Sequence, residues 1–82
     1  MNTIPLPEAP AGLKLVVTGI AGGRGMRTRL HDMGLVPGAA VTLVSHGRGG
    51  PCVVMVGERR LALGHGIAQK IMVAGGPGGG SG

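Results

Sequence analysis

Met26, Leu30 and Met33 stand at i, i+4 and i+7, one apolar stripe of a helix. The spacing predicts a helix over about residues 24–33. Gly34 follows directly, where a left-handed cap position favours a residue without a Cβ. With Met33 as the C-cap, Leu30 and Leu35 become the hydrophobic pair that closes a Schellman motif. Pro37-Gly38 then suits the central positions of a type II turn, and Val41 and Leu43 resume with a period of two. The pattern is helix, stop, turn, strand, with the helix packed on whatever sheet the rest of the chain builds.

Other strands follow from short β-branched runs between breakers. Leu13 to Ile20 is the first, broken by Ala21-Gly22-Gly23. Ala40 to Ser45 is the second, followed by a glycine-rich loop from His46 to Gly50. Pro51 to Val56 and Arg59 to Leu63 flank Gly57-Glu58, a two-residue hairpin of the type II′ pattern. Pairing across that turn sets Val56 against Arg59, Val54 against Leu61 and Cys52 against Leu63. Cys52, Val54, Leu61 and Leu63 then share one face. Residues 64–69 suit a weak helical turn, and Lys70 to Val73 is a last strand. About five short strands with one inserted helix predict a mainly β fold, a small curled barrel that hides its edges.

Composition narrows the picture. Residues 1–10 carry three prolines and no periodicity, and 75–82 are nearly all glycine. The expected organisation is an extended segment (1–10), a β-barrel domain (11–74) and a disordered tail (75–82). About 64 residues buries only about 60% of its unfolded surface. With no Phe, Tyr or Trp, the core must be Val, Leu, Ile and Met, so stability is expected to be modest, with self-association one way to raise it. No apolar run approaches the roughly 20 residues of a membrane helix, and the N-terminus lacks a signal peptide's basic start and apolar run. These features predict a cytoplasmic protein.

Eight Lys and Arg against three acids leave a net charge of +5. Nucleic acid, anionic lipid or an acidic protein face are all open as partners, alongside simple solubility. Single-strand binders use aromatic platforms, which this chain lacks, although Arg48, Arg59 and Arg60 could hold phosphates. Glu8, Asp32 and Glu58 are the only acids, in a tail, a helix and a turn, and no nucleophile has an evident His and carboxylate partner. Catalysis is not expected. The single cysteine excludes an internal disulfide and a Cys-pair zinc site. His31, His46, Cys52 and His65 have no local ligand spacing, so neither a resident metal nor a cofactor is expected. Ala21 to Gly25 has the glycine content of a phosphate-cradling loop. It lacks the Lys-Ser/Thr and the strand-helix-strand frame that such a loop needs. On the helix wheel Arg24, Thr28, His31 and Asp32 lie opposite the apolar stripe, with Arg27 and Arg29 flanking it. Arg24 and Arg27 sit at the positive end of the helix dipole, so helix stability does not account for them.

Taken in order, Gly12, Val17, Arg29-Leu30, Met33-Gly34-Leu35, Pro37-Gly38, Val41, Gly50-Pro51, Leu61-Ala62-Leu63, Ala68 and Ile71 to Val73 resemble the FeoA family. These are small cytosolic partners of the bacterial ferrous iron transporter FeoB, and the module is similar to the C-terminal domain of some metal-dependent repressors. The resemblance covers about residues 6–74, and Arg29-Leu30, Met33, Gly34, Pro37 and Gly38 are its most specific part. It implies a Src-homology-3-like barrel, with that motif structural. It also implies a non-enzymatic role through protein–protein contact with the cytoplasmic side of the transporter. The chain is too short to include a winged helix, which favours a free-standing form. Gly64-His65-Gly66 departs from the polar residues usual there, and the two glycines weaken the helical turn. Arg24, Arg27, His31 and Arg48 are the expected partner-binding surface, because they should project from the helix and the glycine loop. A transition-metal-binding regulatory module and a basic nucleic-acid-binding barrel are the alternatives.

Overall fold

The computed structural model describes residues 3–45 and 50–75. Helix α1 spans Arg24–Asp32 and stops where the pattern requires. Met33 is the C-cap, Gly34 takes φ +92°, and two bonds lock the end. The Leu35 N–H donates to the Leu30 carbonyl at 2.9 Å, and the Gly34 N–H to that of His31 at 2.9 Å. This is the full Schellman pair, with Leu30 and Leu35 buried beneath it. The turn follows at once: the Ala39 N–H donates to the Val36 carbonyl at 2.9 Å, with Gly38 at φ +93°. The Gly38 N–H also donates to the Val17 carbonyl at 2.7 Å, and Val17 N–H to Ala39 at 2.9 Å. The turn is therefore bonded sideways onto the sheet.

Six antiparallel strands form one sheet: β1 (Ile4–Pro5), β2 (Lys14–Ile20), β3 (Ala40–Ser45), β4 (Cys52–Val56), β5 (Arg59–Leu63) and β6 (Ile71–Gly75). Their order is β1-β6-β2-β3-β4-β5. The hairpin register is Cys52 with Leu63, Val54 with Leu61 and Val56 with Arg59, as the two-residue turn demands. Irregularities between Val17 and Gly19 in β2 and between Leu43 and Ser45 in β3 are of the bulge kind that bends and twists a sheet. The bent sheet wraps a core of Leu15, Val17, Val41, Leu43, Val54, Leu63, Ile71 and Val73, plugged by Leu30 and Leu35. No polar side chain is buried among the described residues, so hydrophobic burial, about 1.5–3 kcal/mol for each large side chain, carries the stability.

Three expectations change. Residues 1–10 were read as lying outside the domain, but Ile4 and Pro5 pair with Val73 and Met72. Leu6 and Ala9, in and after a single 3₁₀ turn (Leu6–Glu8), are buried. A two-residue strand has no periodicity to reveal it, and Pro5 is tolerated because β1 is an edge. At the other end Gly75 pairs with Leu15 in β6, so it belongs to the sheet; the remaining tail, 76–82, lies outside the described residues. The barrel is not closed either. Among the described residues β1 and β5 end the ladder without pairing to each other, so the edges are not hidden. The helical turn near 64–69 is α2 (His65–Ala68), which buries Ala68.

Candidate functional site

Helix α1 presents two faces. Toward the solvent it sets Arg24, Arg27 and His31, all exposed, at i, i+3 and i+7 on one side. About a third of a turn round the helix lie Met26, Leu30 and Met33, flanked on the far side by Gly25 and Arg29. These five form one wall of a groove of about 520 Å³, and Ala62, Leu63, Gly64 and Ile67 form the other. Leu30 and Leu63 are its buried floor, while Met26, Met33 and Ile67 are half-buried walls. The groove lies between α1, anchored by its C-terminal end, and α2, which contributes only one short turn.

Chemically the groove is apolar, and Arg29 is its one charged lining residue. Arg29 is exposed and lies at the groove with Leu30 and Met33, which also belong to the helix stop, whereas Gly34, Pro37 and Gly38 build only the stop and turn. Methionine walls deform easily and fit varied apolar side chains. The groove's size suits a small ligand, but it lacks the converging polar groups that would orient one. It fits an apolar side chain from another polypeptide better than a polar metabolite.

The expected basic surface is partly assembled. Arg24, Arg27 and His31 share one helix face, and Arg48 and His46 lie outside the described residues. That face points away from the groove, so a flat partner could not cover both. Sequence reasoning assigned Met26 and Met33 to the core and did not find Ala62, Gly64 and Ile67. The available signal was Ile67 itself, an apolar residue just after Gly64-His65-Gly66 with nothing in sequence to cover it.

Cys52 faces the core, fully buried, and burial raises its thiol pKa by disfavouring the thiolate. His65 lies in α2, exposed, where its Nε2 accepts from the Gln69 side-chain amide at 2.9 Å. Among the described residues no three His, Cys, Asp or Glu side chains come together, and no helix is long and apolar enough to cross a membrane.

This combination defines a class: a Src-homology-3-like β module with a helix inserted after β2, presenting a groove between that helix and an edge strand. The FeoA domain matches residues 4–75, and the chain belongs to the FeoA family. A crystal structure described as Iron Uptake Regulatory Protein (FeoA) superposes with a TM-score of 0.80 at 38% identity, covering 90% of this chain and 97% of that one. "Putative Fe(2+) transport protein A" of Methanocaldococcus jannaschii is 33% identical over 69 residues, 84% of this chain and 83% of that protein. The iron-dependent repressor IdeR of Mycobacterium tuberculosis is 33% identical over 78 residues, which are 88% of this chain. The chain spans 34% of that repressor's length.

Proposed function

We propose that this chain is a non-enzymatic accessory protein of ferrous iron uptake, acting in the cytoplasm by docking on the cytoplasmic part of a FeoB-type transporter and adjusting its activity or assembly. Membership of the FeoA family supports a role in Fe²⁺ transport. The observation that carries the docking reading is the open apolar groove between α1 and β5. Contact affinity comes mainly from buried apolar anchors, while surface charge chiefly sets encounter rate and orientation. The groove is thus the anchoring site, and the basic face of Arg24, Arg27 and His31, with Arg48, steers the approach to an acidic surface.

Ferrous iron uptake in the host tests this. In a strain whose only ferrous route is the transporter, deleting the gene lowers uptake. Met33→Glu fails to restore it while the purified variant stays folded, and charge reversal at Arg27 slows restoration only partly. Normal uptake in the deletion strain overturns the reading. Normal uptake with Met33→Glu overturns the choice of the groove.

A further inference from the structure

Strand β5 ends the sheet, and its register fixes which of its backbone groups are left over. The two-residue turn makes Val56–Arg59 a pair that exchanges both main-chain bonds, and such pairs recur at every second residue. Arg59, Leu61 and Leu63 therefore turn their N–H and C=O groups toward β4. Arg60 and Ala62 turn theirs outward, away from the sheet. Among the described residues no strand lies beyond β5, and Arg60 and Ala62 are both exposed. Irregularities interrupt β2 and β3, but the β4–β5 ladder runs without one. The edge is regular, lacking the bulge or proline that commonly protects one. It borders the groove, because Ala62, Leu63 and Gly64 form the groove wall that faces Met26, Leu30 and Met33.

We propose that β5 accepts an extended segment of a partner protein as a seventh strand, apolar on the face entering the groove and acidic on the other. The proposal deepens the docking reading and rests on it. Main-chain bonds to Arg60 and Ala62 supply affinity, and the groove selects alternate side chains, the division of labour of strand addition. Charge defines the occupant. Along the core-facing side of β5, Leu61 and Leu63 continue the apolar surface, so an added strand places apolar residues there beside Met33 and Ile67. On the outer side stands Arg60, whereas Arg59 alternates onto the face of Leu61 and Leu63 and Arg29 lies at the groove; Glu58 is the one acid of the hairpin. Acidic residues on that side of the added strand pair favourably, whereas lysines would meet like charge. A second copy is disfavoured as occupant because it carries the same net charge of +5.

The probe is a short synthetic peptide alternating valine and glutamate, titrated into the full chain and followed by amide NMR and hydrogen exchange. Binding slows exchange at the Arg60 and Ala62 amides about tenfold or more, and a valine–lysine peptide does not bind. Two further peptides carry N-methyl groups on one or the other alternate set of backbone amides. A strand turns only one set toward β5, so one methylated peptide binds and the other is weakened about tenfold or more. Ala62→Pro removes an outward N–H without touching the β4 ladder and weakens the unmethylated peptide; the methylated pair gives the same answer without altering the protein. Equal affinity of the two methylated peptides, or unprotected Arg60 and Ala62 amides, overturns strand addition. Protection that appears on concentrating the protein alone overturns it too, by making a second copy the occupant. If strand addition fails while Met33→Glu still abolishes uptake, groove docking stands; if both fail, both readings fall.

Discussion

The two sides of the apolar stripe on α1 have opposite fates. At its C-terminal end Leu30 and Leu35 are 2% and 0% exposed, under a closed set of backbone bonds. On the neighbouring side Met26, one turn earlier, and Met33, the C-cap itself, are only half-buried and face an open groove. The residues obey the same helical periodicity. What differs is whether a second element arrives to cover them: the Leu35–Ala39 turn does so on one side, and α2, one short turn with Gly64 at its N-cap and Gly66 within it, leaves a groove open on the other. An apolar stripe therefore records that a face is meant to be covered, without saying by what.

Substitutions sharpen that contrast. Leu30→Ala should have the largest effect, about 2–5 kcal/mol of lost stability from transfer and cavity terms together, read from denaturant unfolding. A loss as small as that of a surface change would show that the helix is not anchored there. Next comes Gly34→Val, about 1–3 kcal/mol, because a β-branched residue is strained at φ +92°; its Cβ would also meet the Val56 side chain at 3.4 Å. An unchanged melting temperature would break the Schellman account. Met26→Ser, on the groove side, should lower stability by only about 1 kcal/mol or less, since its side chain is already partly in water, while weakening partner capture. If it destabilises as much as Leu30→Ala, the groove is closed in solution.

The smallest effect belongs to Cys52. Its buried thiol should react with a thiol reagent far more slowly in the folded protein than in denaturant. Its raised pKa also has a thermodynamic sign. The folded thiol holds its proton to higher pH than the unfolded one, so between the two pKa values the unfolded state binds fewer protons. Stability is therefore full below about pH 8.5, where an exposed thiol begins to ionise, and falls as pH rises further. Cys52→Ala should remove that alkaline slope; a slope that persists would assign it to other groups.

Where legibility ended has a physical cause in each place. The hairpin register was readable because a two-residue turn leaves a single pairing for Cys52, Val54 and Val56. The helix stop was readable because Met33-Gly34-Leu35 is a local hydrogen-bond motif. Strand β1 was not, since Ile4 and Pro5 have no pattern of their own and are ordered by the free edge of β6. The expected basic surface was right about exposure for Arg24, Arg27 and His31, yet helix geometry turns it away from the groove.

The sequence by itself determined the elements whose instructions are local: α1 and its cap, the turn at Pro37-Gly38, the alternation within β3 and β4, and the hairpin after Val56. Each is set by interactions spanning a few residues, so neighbours in sequence suffice. Tertiary structure alone decided that β1 joins the sheet, that β5 is left as an edge, and that Met26 and Met33 face Ala62 and Ile67 across open space. Those outcomes depend on how a bent sheet brings distant residues together and on how far a short helix can reach. Residues some thirty positions apart meet or fail to meet for reasons that no local pattern contains.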